Sequence, residues 1–225
     1  MIEQAKDREQ REKRVAAVVL NYLTPADTFL AVRSLLMSRP RPHDVIVVDN
    51  DPDRGCEAAL AGLRSEIVYV AAGKNLGFSG GMNLGIRSAM ASGADYIVLV
   101  NSDVVVTPDC LGILQRSLEI VAHAGIAGPM VLSRSEPDRI ASLGLSFDPR
   151  TGRMRERSAG RRRASLTSPE TQTTDAVSGC CIFVAREVFA SVGLSSRPRS
   201  RCSCGRAFRP LAWRLCRAPV SVTAW

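Results

Sequence analysis

The feature that most constrains this chain is a series of short apolar runs, rich in β-branched residues, three of which end abruptly on Asn or Asp. Val15-Ala-Ala-Val-Val-Leu20 ends on Asn21, Val45-Ile-Val-Val48 on Asp49 and Tyr96-Ile-Val-Leu-Val100 on Asn101, with Ile67 to Ala71 as a fourth run. Runs without polar alternation belong to strands buried on both faces, the signature of a mostly parallel sheet covered by helices. The segments between them read as those helices. Thr24-Pro25 offers an N-cap followed by Pro at the first helical position, and Phe29, Val32, Leu35 and Leu36 recur at helical spacing. A further helix is expected near Cys56 to Leu63. Another opens from the Gly-rich stretch Gly73 to Gly81 and runs through Ser92, and one more follows Thr107-Pro108-Asp109, carrying Leu111, Leu114, Leu118 and Val121. Such alternation predicts an α/β fold with right-handed crossovers and an open, mostly parallel sheet with helices on both faces.

Beyond Gly125 the pattern changes. Ile126 to Leu132, Ile140 to Phe147 and Thr174 to Ala185 read as antiparallel additions, Arg186 to Val192 as the start of a last helix, and the polar, Arg-dense Arg150 to Pro169 as a mobile surface loop. A length of 225 residues favours one domain. The expected division is a charged extension over 1–14, a globular domain over 15–194 and a tail over 195–225. No stretch approaches the roughly 18 apolar residues of a membrane span. The longest candidate, Ile97 to Val106, is interrupted by Asn101, Ser102 and Asp103. The first fourteen residues mix acids with bases, unlike a secretory leader, so the expected location is the cytoplasm or the inner face of its membrane.

The net charge of +8 would suggest nucleic acid or an anionic membrane if it were spread over the domain. It is not. Seven of the 30 basic residues are Arg between Ser195 and Trp225, a segment without acids, leaving 23 bases against 22 acids in the rest. The near-neutral body argues against nucleic acid as a partner. The run Arg161-Arg162-Arg163 reads first as a solvated loop and second as a peripheral membrane contact. Cys202, Cys204 and Cys216 lack a fourth ligand for zinc. Cys56, Cys110, Cys180 and Cys181 read as small buried hydrophobes rather than disulfide partners.

In open α/β sheets ligands bind at the carboxyl ends of the strands, which directs attention to the polar residues there. Asp49 ends a buried strand, where its carboxylate is placed either to accept from a nucleoside or to cap the next element. Asn101-Ser102-Asp103 brings a carboxylate and an amide to one strand end. A hard cation such as Mg²⁺ takes one or two protein carboxylates plus substrate phosphates, so one Asp suffices, while a plain turn is the alternative. Gly73-Lys-Asn-Leu-Gly-Phe-Ser-Gly-Gly-Met-Asn83 lets a backbone approach an anion closely, or a helix approach the sheet. Its glycine spacing matches neither a dinucleotide-binding fingerprint nor a P-loop, which disfavours a dinucleotide-dependent oxidoreductase.

Taken in order, Val-Val-Leu-Asn-Tyr, Val-Ile-Val-Val-Asp-Asn, Lys-Asn-Leu-Gly-Phe-Ser-Gly-Gly-Met-Asn-Leu-Gly-Ile, Tyr-Ile-Val-Leu-Val-Asn-Ser-Asp and Val-Ser-Gly-Cys-Cys-Ile-Phe-Val-Ala-Arg-Glu-Val-Phe resemble family 2 glycosyltransferases of the rhamnosyltransferase kind over about Val15 to Leu194. The resemblance implies a GT-A fold and an inverting transfer from a UDP- or dTDP-sugar, rhamnose among the candidates, to a glycan or lipid-linked acceptor in surface polysaccharide synthesis. It implies that Asn21 and Asp49 contact the nucleoside, that Asn75, Gly80, Asn83 and Asn101 line the donor site, and that Asp103 holds Mg²⁺ or Mn²⁺ on the diphosphate. Asn101 stands where the family's D-x-D-like motif has its first Asp, and Lys74 where an acid is common. Ser178-Gly179 would begin the acceptor-side strand. The family's catalytic base lies in an acidic, aromatic segment beyond it, whereas no Asp or Glu follows Glu187 here. The Arg-, Ser-, Cys- and Pro-rich residues after Leu194 read as a shifted reading frame or a disordered tail, and impaired transfer is expected. The rival readings are a non-catalytic nucleotide-sugar-binding remnant and a nucleotidyltransferase. The latter would need a Gly-rich loop where Asn21-Tyr-Leu-Thr-Pro25 stands.

Overall fold

The computed structural model describes residues 12–166, 171–192 and 220–223. An eight-stranded sheet dominates, in the order β10 (Thr171–Thr174), β12 (Val220–Thr223), β5 (Ile126–Pro129), β11 (Cys181–Ala185), β4 (Tyr96–Asn101), β1 (Val15–Asn21), β2 (Asp44–Asp49), β3 (Val68–Ala71). Strands β1 (Val15–Asn21), β2 (Asp44–Asp49), β3 (Val68–Ala71) and β4 (Tyr96–Asn101) are mutually parallel where they pair. They are linked by α1 (Pro25–Leu36), by α2 (Gly55–Ala59) with a 3₁₀ turn at Ala61–Leu63, and by α3 (Gly77–Ala91). The chain winds outward from β1 through β2 to β3, then returns to the other side of β1 as β4. The carboxyl ends of β1 and β4 therefore flank a topological switch point, where such sheets bind ligands.

The apolar runs form strands because both of their faces are covered. Ala17, Val19, Val45, Val47, Val98 and Val100 pack with Ala31, Val32 and Leu35 of α1 and with Leu111, Leu114 and Leu118 of α4 (Cys110–Ile120). Their neighbours Ala16, Val18, Ile46, Val48, Ile97 and Leu99 pack with Met82, Ile86 and Ala89 of α3 and with Phe189 of α5 (Arg186–Val192). Successive side chains point to opposite faces, so one strand fills both layers. Close helix approach explains two glycines of α3. A Cβ at Gly81 would lie 2.4 Å from Leu20 Cδ1, and one at Gly85 would lie 2.3 Å from Val18 Cγ1.

The second half adds β5 (Ile126–Pro129) and β11 (Cys181–Ala185), with β11 antiparallel to both β4 and β5, as the change of pattern predicts. The segment 140–147 is broken at Gly144, whose φ of 81° ends β7 (Ile140–Ser142) before β8 (Leu145–Asp148). β7 pairs with the short β6 (Val131–Leu132).

Three expectations need correction. The Arg-dense segment is not one irregular loop, because Arg153–Glu156 is β9, paired with β8 in register Phe147↔Met154. Asp148 accepts from Arg150 N and Thr151 Oγ1, and Gly152 adopts a φ of 65°, which closes a turn that carried no apolar signal. Residues 167–170 lie outside the described residues. Thr24 does occupy the N-cap position, but its hydroxyl makes no capping bond and donates instead to Ser102 Oγ at 2.9 Å. The tail is not without structure throughout: Val220–Thr223 forms β12, parallel to β5 and antiparallel to β10 (Thr171–Thr174). The rest of the tail and residues 1–11 of the N-terminal extension lie outside the described residues. Among the described residues no helix is long and apolar enough to cross a membrane.

Candidate active site

At the switch point lies a cavity of about 560 Å³, within the range of small-molecule sites. Leu20 and Asn101 contribute from the ends of β1 and β4, and Tyr22, Thr24 and Asp27 from the β1–α1 turn and the first turn of α1. Asn50 follows β2. Asn75, Gly77 and Phe78 come from the turn into α3, and Ser102, Asp103 and Arg134 complete the lining. Three of the residues expected in a donor site, Asn75, Asn101 and Asp103, thus line one cavity, together with Asn50, which was not expected there. Gly80 and Asn83 lie further along α3 and do not line the cavity. A Cβ at Gly80 would lie 2.9 Å from Leu76 Cβ, so this glycine serves packing of the turn.

Asn21 and Asp49 are wholly buried and do not reach the cavity. Asp49 points to the α1–α2 side, where its carboxylate accepts four hydrogen bonds. Asn21 Nδ2 and Asp51 N donate to Oδ1 at 2.8 and 3.1 Å, and Tyr69 Oη and Cys56 N donate to Oδ2 at 2.6 and 3.3 Å. Asn21 Oδ1 in turn accepts from Thr28 Oγ1 at 2.8 Å. Burial pushes the Tyr69 phenol above its ordinary range, and the bond it donates to Asp49 adds to the rise. The Cys56 thiol is pushed up to about 12, mainly by burial and then by the charge of Asp49. This is a strut tying β1, β2, β3, α1 and α2 together.

Asn50, by contrast, lines the cavity. Strand alternation turns it opposite to Asp49, and its amide organises the Gly-rich turn. Nδ2 donates to Asn75 Oδ1 at 3.2 Å and to Gly77 O at 3.1 Å, while Oδ1 accepts from Leu76 N at 3.3 Å. Asn75 Oδ1 also accepts from Gly77 N at 2.8 Å, and Gly77 has the φ of 69° that this turn requires. The sequence marks this strand end by the Asp49-Asn50 pair, and of the two it is Asn50 that lines the cavity. Tyr22 and Phe78, both in the lining of the cavity, are exposed to 47% and 39%.

At the end of β4, Asn101 N donates to Cys180 O, while Asn101 Oδ1 is buried without a hydrogen-bond partner. An unsatisfied buried oxygen costs about 1–3 kcal/mol unless a ligand completes it. Asp103 is exposed two residues on. Burial raises the Cys180 thiol, and the charge of Asp103 adds to that rise. One amide oxygen and one carboxylate suit a hard cation that completes its shell with phosphate oxygens and water. Among the described residues no group of three or more His, Cys, Asp or Glu could hold a metal ion by itself. The four described cysteines are free thiols, as expected.

Residues 24–193 match the Glycosyl transferase family 2 profile. The chain belongs to this family. Its curated relatives include galactofuranosyltransferase GlfT1 of Mycolicibacterium smegmatis, 30% identical over 129 residues, and that of Mycobacterium tuberculosis, 32% identical over 130 residues. Each alignment covers 56% of this chain and 42% of the relative, so the chain aligns with less than half the length of these proteins. A solved structure of GalNAc-T7 with UDP, GalNAc and Mn²⁺ superposes with a TM-score of 0.70, covering 93% of this chain and 41% of that one at 13% identity. The fold is GT-A, as the motifs implied.

Proposed function

We propose that this domain binds a nucleoside-diphosphate sugar in the cavity at the switch point and belongs to an inverting, metal-dependent glycosyltransferase. The observation that carries the reading is the unpartnered Asn101 Oδ1 beside Asp103 at the end of a core strand. A divalent cation, Mg²⁺ or Mn²⁺, would neutralise the diphosphate leaving group there. Asp103 supplies its carboxylate and Asn101 its amide oxygen. Tyr22 and Phe78 offer faces for the nucleobase, Asn50 and Asn75 hold the turn, and the amino end of α3 favours negative charge. The relatives' names favour a galactofuranosyl donor, and the motif resemblance a rhamnosyl one. The acceptor is a glycan or a lipid-linked sugar, reached with a peripheral membrane contact.

Inversion requires a carboxylate to take the acceptor's proton as its oxygen attacks the anomeric carbon opposite the departing diphosphate. Of the two acids lining the cavity, Asp103 is assigned to the metal and Asp27 is ion-paired with Arg134. A second reading therefore stands beside the first, in which this chain binds donor with little transfer. Calorimetry with UDP and dTDP in Mn²⁺, run beside hydrolysis assays of UDP-galactofuranose and dTDP-rhamnose, separates them. Metal-dependent binding with turnover supports the enzyme, and binding alone supports the second reading. No binding of either nucleotide would refute both.

A further inference from the structure

Arg134 is the one cationic side chain among the described residues that line the cavity. It comes from the turn between β6 and β7, some thirty residues beyond Asp103. That turn is closed by its own bonds: Ser133 N donates to Arg139 O at 2.9 Å, Arg139 N to Glu136 O at 2.8 Å and Glu136 N to Ser133 Oγ at 3.2 Å. Its ion pair with Asp27, 2.9 Å from Nη1 to Oδ1, is therefore not needed to shape it. The side chains of Arg134 and Asp27 are 70% and 34% exposed, and pairs so open to water contribute about 0–1 kcal/mol. Asp27 also stands in the first turn of α1, where the helix dipole favours a carboxylate without any partner.

The pair is thus cheap to break, and the cavity gives a reason to break it. Among the described residues, its charged lining is two carboxylates and one guanidinium. A guanidinium makes paired, charge-assisted bonds to phosphate as it does to carboxylate, and a diphosphate offers it more charge and more acceptor oxygens than the single carboxylate at the rim. We propose that Arg134 exchanges Asp27 for the diphosphate of the bound donor, so that Arg134 reads the phosphates and Asp27 competes with them. This rests on the donor-binding reading above and adds the residue pair that sets affinity for the anion.

The test measures UDP by calorimetry and uridine by competition against it, in Mn²⁺ at low salt, on the full chain and its variants. Arg134→Ala should weaken UDP about tenfold and leave uridine within about twofold, with Arg134→Lys intermediate because it keeps the charge without the paired geometry. Asp27→Asn should tighten UDP about threefold or more, and most of that gain should vanish in the Arg134→Ala background. Melting temperatures should change by no more than about 2 °C, since the pair is exposed. An unchanged ratio of UDP to uridine affinity in Arg134→Ala, or weaker UDP binding in Asp27→Asn, overturns the proposal while leaving the donor site standing. Failure of the unaltered protein to bind UDP or dTDP overturns the donor reading and this proposal together.

Discussion

Replacing Asp49 separates two roles for the carboxylate that ends β2. In the structure it is a buried acceptor for four donors from four parts of the chain. Bonds to a charged acceptor contribute about 1.5–3 kcal/mol each, but the four share one group and water enters partly once it is gone, so they do not add. Asp49→Asn keeps the size yet turns an amide N–H₂ toward groups that are themselves donors. Its cost should be roughly 3–4 kcal/mol, and that of Asp49→Ala roughly 3–5 kcal/mol, near the upper end for single substitutions. Tyr69→Phe removes one of the four bonds and should cost about 1–2 kcal/mol, and the double variant Asp49→Asn/Tyr69→Phe should cost less than the sum. Urea unfolding followed by far-ultraviolet circular dichroism reads these differences as a fall in midpoint at constant slope. Nucleotide affinity, measured where the variants remain folded, should stay within a few-fold. If Asp49→Asn unfolds within about 0.5 kcal/mol of the unaltered protein yet loses UDP, Asp49 is a ligand contact and the strut is refuted.

Other predictions concern the cavity and the buried acids. Tyr22→Ala and Phe78→Ala should each weaken UDP by about 1–3 kcal/mol through lost stacking, with little change in unfolding midpoint because both rings are substantially exposed. Loss of stability without loss of affinity would assign these rings to packing instead. Stability should also fall at alkaline pH. The Cys56 and Cys110 thiols rise from 9.0 to about 12, chiefly by burial, so the folded state holds protons that the unfolded chain releases first. Their contribution is fully present below about pH 9 and is lost as pH rises toward 12. Urea midpoints at pH 8 and pH 11 should differ less in Cys56→Ser than in the unaltered protein, and an equal difference would contradict that assignment.

The parallel half of the fold was legible because its strands are buried on both faces, which leaves uninterrupted apolar runs such as Val15 to Leu20. Of the β8–β9 ribbon, β8 was legible within Ile140 to Phe147, whereas β9 was not, because it is exposed throughout and Met154 is its one apolar residue. Asn101 and Asp103 could be picked out since polar residues flush against a core strand are rare. Asp49 and Asn50 show the limit of that logic. One step along a strand reverses the side chain, and nothing local says which of two adjacent polar residues meets solvent. Arg134 had no signal at all, because a turn residue joins the cavity only through the folding of β6 and β7. The glycines of α3 were legible as a close approach, and the structure assigns Gly81 and Gly85 to the sheet and Gly77 to the cavity.

The central claim is that Asp103 holds a divalent cation against the donor's phosphates. The most direct measurement is calorimetric titration of UDP and dTDP into the unaltered protein and Asp103→Ala, each with Mn²⁺ and with chelator. Binding to the unaltered protein should need the metal, and Asp103→Ala with Mn²⁺ should bind no better than the unaltered protein in chelator. Equal affinity of the two proteins in Mn²⁺ would contradict the account.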